Sequence, residues 1–378
     1  VTDDDLNIFI TRCATAGTRR CGVKDLIDTA GIRTTYGSRV YADHVPVADA
    51  PAWARLSADG WTLAGKTNLH EFAYGVTSQN QHYGTVRNPH DPSRVAGGSS
   101  GGSAAGIVTG AFELGLATDT AGSIRIPASF CGVVGFKGSV GVVPTEGCFP
   151  LVPWLDHVGP IAADVATCAD AYATLAGTTP ATAIDAAGLT IALPRDLGHV
   201  DGSILAAFDR SLGRLREHGV RFVEVDLPPL PLEIIRVRLV VAAFVHRATY
   251  PSRRDEYGLN LQGKLDAGLE PYDHLAALGA IADVDDWKRA FAGACAGADL
   301  IAMPTIPVPA PSVDAPEASI RGTIFAHTQL FNHLGWASIT VPNGSDRDGM
   351  PTGLMLSGAG DALVLGAALG LEGAIRAA

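Results

Sequence analysis

Aromatic and charged side chains are scarce in this chain, at 7% and 18% of 378 positions. No uninterrupted apolar run approaches the roughly 18 residues that a membrane-spanning helix needs, so a span is not expected. Blocks of Lys or Arg are also missing. With 28 basic and 39 acidic residues the formal charge is −11, and such a chain lacks the electrostatic footprint that a phosphate backbone attracts. We therefore expect no direct nucleic-acid partner. The acidic start Asp3-Asp4-Asp5 is the reverse of a signal peptide's basic n-region, which points to the cytoplasm. Cys13, Cys21, Cys131, Cys148, Cys168 and Cys295 show neither CxxC spacing nor the density of a secreted disulfide scaffold, as expected of reduced thiols.

What is abundant is small and apolar: 44 glycines and 47% hydrophobic residues, the composition of a compact fold with closely approaching backbones. Helical spacing at 50–56 predicts a short helix, and 61–64 reads as a buried strand broken at Gly65, which would deliver Lys66 to the strand's end. The run AGGSSGGSAA at 96–105 is too rich in glycine for a regular element and reads as a loop, with a small-residue helix following. A short strand at 114–117 leads into a second tight loop, DTAGSIRIP, at 119–127. Residues 189–193 and 220–225 are strand-like and flank a helical stretch at 204–218. Helical, more charged sequence fills 230–297, which we read as an insertion over one face, and strand-like runs resume at 300–303, 337–341 and 353–356 before a closing helix from Asp361. No repeat or low-complexity linker divides the chain. It reads as one α/β domain over 1–378.

Two Gly-Ser loops whose serines stand 24 positions apart, Ser99 and Ser123, together with Lys66 in a Gly-Lys-Thr-Asn corner, form the constellation that could carry chemistry. Taken singly, a lysine is usually a surface residue and a serine among glycines a turn former. Together they suit nucleophilic catalysis. Serine needs a neighbouring base, burial lowers a lysine's pKa towards neutrality, and a second hydroxyl can relay a proton because it donates and accepts at once. The loop of Thr120, Ala121, Gly122 and Ser123 could direct backbone N–H groups at a developing oxyanion.

The stretch AGKTNLHEFAYGVTSQNQHYGTVRNPHDPSRVAGGSSGGSAAG, followed by DTAGSIRIPASFCGVVGFKGSVG and LDHVGP, resembles the amidase signature family. GVKDLIDTAG at 22–31, TTYGS at 34–38 and GLMLSGAG near the end are similar to further landmarks of that family. The resemblance implies a three-layer α/β/α fold with a large mixed sheet covered by helices on both faces, and a signature core at about 61–180. It also implies a Ser, cis-Ser, Lys triad: Ser123 as nucleophile, Ser99 as the cis-peptide serine, Lys66 as base, with the oxyanion hole at Thr120, Ala121, Gly122 and Ser123. Ala121 stands where the family most often has Gly, and Trp154 where a small residue is common. Trp154 would narrow a pocket or fill core.

The expected activity is hydrolysis of a small carboxamide or urea-type bond through a Ser123 acyl-enzyme, with a small-molecule amide as partner and a homodimer left open. The alternative is the amidase-like, A-type component of an aminoacyl-tRNA amidotransferase, releasing ammonia from glutamine. Ser100 formally completes a G-x-S-x-G elbow, but no apolar strand precedes it, and we assign it with Asp119 and Arg125 to support of the site. No GK[ST] closes the glycine-rich loop, and Tyr74 replaces the second histidine of HExxH. Neither a cofactor nor a metal is expected.

Overall fold

The computed structural model describes residues 2–14 and 17–377. Its strands are β1 (Phe9–Arg12), β2 (Arg20–Lys24), β3 (Thr62–Thr67), β4 (Leu114–Asp119), β5 (Val134–Lys137), β6 (His157–Ala162), β7 (Thr190–Pro194), β8 (Arg221–Val225), β9 (Leu300–Pro304), β10 (Ala337–Ser345) and β11 (Pro351–Gly358). They join one sheet in the order β1-β3-β2-β4-β6-β5-β10-β11-β9-β7-β8. Pairing is parallel where β2 lies between β3 and β4 and where β7 lies between β8 and β9. Elsewhere it is antiparallel. The sheet is mixed, as the resemblance implied.

Helices α1 (Pro51–Ala58), α2 (Gly101–Val108), α3 (Arg125–Cys131), α4 (Val165–Ala176) and α5 (Gly202–Glu217) precede the insertion. Within it run α6 (Glu233–Val245), α7 (Tyr250–Arg253), α8 (Leu259–Leu269) and α9 (His274–Ala294), followed by α10 (Glu317–Ile324), α11 (Thr328–Leu334) and α12 (Asp361–Arg376). α4, α5 and α12 cover one face of the sheet, with α1 packed on α4, while α2 and α3 cover the other. Two cores follow. One unites Val23, Leu116, Phe136, Ile339 and Leu356 with the α4, α5 and α12 side; the other sets Ala104, Ala117, Ala128 and Ile161 under α2 and α3. The strands buried on both sides read as continuous apolar runs, as they do in β4 and β9.

Three local expectations are corrected. The Gly-Ser run is loop only in its first half, because α2 starts at Gly101. Glycine is required there by close approach: a Cβ on Gly102 would sit 2.5 Å from the Ile8 carbonyl oxygen and 2.6 Å from that of Asn68. The second loop likewise ends early, with α3 starting at Arg125. Strand β3 does not break at Gly65. It bulges, the register passing from Cys21↔Leu63 to Gly22↔Gly65 and skipping Ala64.

Candidate active site

The bulge decides which lysine reaches the serines. Side chains alternate between the faces of a sheet, so one extra residue moves everything beyond it to the opposite face. Past the bulge Lys66 lies beside Val23, and Thr67 beside Lys24. Lys24 and Lys66 therefore leave the sheet on opposite faces. Thr67, on the Lys24 side, meets Ser103 of α2 at 2.8 Å.

Lys24, at the end of β2, donates from Nζ to Ser99 Oγ at 2.7 Å and to Thr118 Oγ1 at 2.7 Å. Burial lowers its pKa to about 7, against the opposing pull of Asp119, Cys148 and Asp156. Lys66 instead donates to the Ile27 carbonyl, to Thr29 Oγ1 at 3.0 Å and to Thr34 Oγ1 at 2.8 Å. Burial lowers it to about 8, opposed by Asp25 and Asp28. Its ammonium thus ties down the loop after β2. The expected placement of Lys66 beside Ser99 is corrected: Lys24 occupies that position.

Ser99 follows a cis peptide bond from Gly98. Its carbonyl accepts from His70 N–H at 3.1 Å and from Ser78 Oγ at 3.1 Å, and a Cβ on Gly98 would lie 2.6 Å from Ser78 N, so the two loops touch through backbone alone. Ser100 donates to the Thr118 carbonyl at 3.2 Å. That contact braces the serine loop against β4.

β2 and β4 are parallel, and their last residues, Lys24 and Asp119, lie at the same edge of the sheet, where α/β folds gather their chemistry. Asp119 shapes the loop that follows. Its carboxylate accepts from Gly122 N–H (2.8 Å), Ile124 N–H (3.1 Å), Arg125 Nε and Nη2 (3.1 and 3.0 Å) and Asn332 Nδ2 (2.8 Å). Burial disfavours this charge, but the Arg125 guanidinium outweighs it and holds the acid below the usual carboxylate range. Arg125 is also fully buried and passes its remaining donors to Asn332 Oδ1 (2.6 Å) and the Thr328 carbonyl (2.9 Å). Ser123 is thereby held between two amides fixed by a single carboxylate.

This anchoring changes the expected oxyanion hole. Gly122 N–H is committed to Asp119, so it is removed from the donors aimed at substrate. The positive φ falls on Gly122, at +132°, and not on Ala121, so alanine is accommodated where the family most often has glycine. A Cβ on Gly122 would collide with Thr328 Oγ1. That hydroxyl donates to the Ala121 carbonyl at 2.6 Å.

Ser123 opens, with Thr120 and Ala121, onto a cavity of about 530 Å³ that Tyr74, Arg238 and Arg321 also line. Arg238 donates to Gln329 Oε1 at 3.0 Å, and burial together with Arg321 lowers its pKa to about 10. Arg321 lies 5.3 Å from the Tyr74 ring centre. Two guanidinium groups in one half-enclosed cavity make it a receptor for an anion. Sequence reasoning missed Lys24, Thr118, Asn332 and both arginines. Lys24 alone had a signal, as the charged residue of GVKD at the end of an apolar strand. Trp154 neither narrows this cavity nor fills core: it is 45% exposed and lines a different cleft.

A family model described as Amidase matches residues 21–361. The chain belongs to the amidase family. Within the amidase family, the A-type component of the Glutamyl-tRNA(Gln) amidotransferase of Koribacter versatilis is 34% identical, covering 88% of this chain and 79% of the relative. The protein of the same name from Halobacterium salinarum is 32% identical over 97% of this chain and 99% of its own length. A crystal structure described as an amidase superposes with a TM-score of 0.87 at 33% identity, over 96% of this chain and 84% of that one. These findings make the chain an amidase-type enzyme of carbon–nitrogen bonds. They also overturn two expectations. A hydrolase working alone on small carboxamides or ureas, with no nucleic acid among its partners, is contradicted by relatives named as subunits of a tRNA-dependent enzyme. The alternative reading takes its place. Among the described residues no helix is long and apolar enough to cross a membrane.

Proposed function

We propose that this chain is the A-type component of an aminoacyl-tRNA amidotransferase and that it releases ammonia from the side-chain amide of glutamine, with Ser123 as nucleophile. The observation that carries the substrate is the cavity itself, in which the arginines Arg238 and Arg321 share walls with Ser123. Glutamine carries a carboxylate at one end and the scissile amide at the other, and a guanidinium matches a carboxylate in charge and in donor geometry.

Neutral Lys24 accepts the Ser99 proton, Ser99 accepts that of Ser123, and Ser123 Oγ bonds to the amide carbon. The 2.7 Å contact from Lys24 to Ser99 supports this relay. The amides of Ala121 and Ser123 serve the oxyanion, while Gly122 holds the loop on Asp119. Collapse of the adduct breaks the C–N bond, and the relay returns its proton to the leaving nitrogen, which departs as ammonia. Water then attacks the glutamyl ester by the reverse path and glutamate leaves. The partner subunits and the aminoacyl-tRNA that receives the ammonia lie beyond this chain.

The test is a glutaminase assay of the purified chain, alone and with candidate partner subunits, ATP and glutamyl-tRNA(Gln), beside the Ser123→Ala variant. The expected result is glutamine turnover that rises with partner and acceptor and vanishes in Ser123→Ala. Turnover of simple carboxamides by the isolated chain, with glutamine ignored even in the full mixture, would refute the proposal.

A further inference from the structure

A second cleft, of about 710 Å³, adjoins the cavity of Ser123 and falls within the roughly 300–1,000 Å³ of small-molecule sites. The two share their partition. α6 gives Ile235, Arg238 and Leu239 to the first and Ile234 to the second; the turn at 151–155 gives Leu151 and Val152 to the first, Trp154 and Leu155 to the second. Apolar walls come from Val140, Ile234, Ile281, Val284 and Leu334, and Trp154 presents a half-bare indole.

Three polar side chains are set into these walls. Asp285 and Lys288, one turn apart on α9, pair at 3.2 Å with both side chains about half exposed. A pair of this kind contributes little in water, so it opens at small cost to other partners. The third is His333. The residue is 4% exposed, and its Nε2 is buried without a hydrogen-bond partner. Burial, with Arg238 and Lys288 nearby, lowers its pKa to about 3, so the imidazole is neutral. A buried polar atom left unmatched is unfavourable by the desolvation of that group, and a ligand atom would relieve it.

We propose that this cleft binds a free aromatic α-amino acid. Its ring packs between Trp154 and the aliphatic wall, its carboxylate meets Lys288, its ammonium meets Asp285, and the His333 imidazole hydrogen-bonds a polar atom on the ring. The paired opposite charges beside an apolar slot match a zwitterion on an apolar body. A purely anionic or purely apolar molecule would leave Asp285 or Lys288 unmatched. The site is distinct from the substrate cavity and does not depend on the identity of the amide cleaved.

The cleft also touches the catalytic machinery. The Leu155 carbonyl accepts from Asn332 Nδ2 at 3.4 Å, and the same amide group donates to Asp119 Oδ1. A ligand held against Leu155 and Asn332 therefore bears on the residues that shape the Ser123 loop.

Calorimetric titration of the full chain with L-tryptophan tests the proposal. Saturable one-to-one binding is expected, weakened about three- to tenfold by Trp154→Ala and by Lys288→Gln, as the loss of one aromatic or one charged contact implies. Arg321→Gln, which alters only the substrate cavity, leaves the Kd within about twofold. Tryptamine and indole-3-propionate, each lacking one charge, bind more weakly than tryptophan. Both Trp154 and Lys288 are half exposed, so their variants keep the fold, and unchanged thermal unfolding verifies it. No saturation at about 10 mM, or binding that survives Trp154→Ala but is lost in Arg321→Gln, overturns the proposal.

Discussion

At the residue scale, two buried lysines on neighbouring strands have opposite assignments. Lys24 touches Ser99 and Thr118, whereas Lys66 is tied to a carbonyl and two threonine hydroxyls of the loop after β2. Lys24→Ala is expected to lower kcat by about 10²–10⁴-fold, the usual contribution of a positioned base, with little change in thermal stability. Lys66→Met should do the reverse. It abandons three acceptors in a buried site and should destabilise the fold by about 1–3 kcal/mol, while the folded fraction keeps most of its activity. Paired kinetic and unfolding measurements on the two variants decide between them, and an inactive but stable Lys66→Met would return the base to Lys66.

The pH dependence follows from the same residue. Lys24 accepts a proton only when neutral, and burial places its pKa near 7. The active fraction therefore grows as pH rises through about 7 and declines about tenfold for each unit below it. A profile of kcat/KM flat from pH 5 to 8 would remove Lys24 from the relay.

At the element scale the strands and helices were largely legible, because apolar runs and helical spacing survive burial unchanged. β4, β9 and α12 stand where those patterns put them. The starts of α2 and α3 were not legible. Gly101 and Gly102 are poor helix formers in isolation, and only the backbone of Ile8 and Asn68 pressing on Gly102 explains why nothing larger can stand there. Gly102→Ala should accordingly destabilise the chain by about 1–3 kcal/mol despite alanine's better helix propensity, read as a lower denaturant midpoint. A stabilised variant would mean that this contact yields easily. Anchoring of the nucleophile loop is likewise a matter of elements meeting, since Asn332 and Thr328 of α11 reach Asp119 and Ala121 from more than 200 positions away.

At the scale of the whole molecule, the insertion and the segment before α11 complete the cavity over the sheet edge, α6 bringing Arg238 and α10 bringing Arg321 to the Ser123 loop. Neither arginine belongs to a motif that sequence reasoning could recognise. Removing one guanidinium from an otherwise intact pocket should weaken ground-state and transition-state binding alike. Arg321→Gln is thus expected to raise the KM for glutamine about tenfold or more, with kcat within about threefold, in the assembled enzyme. An unchanged KM would show that the substrate carboxylate binds elsewhere.

The sequence by itself determined the family, the α/β class and the two serines, because local composition and the length of a motif carry them: glycine-rich loops and apolar strands look alike in isolation and in the fold. Only tertiary structure decided which lysine serves those serines. The choice turns on one skipped residue, Ala64, in the register between β2 and β3. A bulge is set by the pairing of strands that lie some forty positions apart, and since side chains alternate with a period of two, that single shift sends Lys66 to one face of the sheet and leaves Lys24 alone on the other.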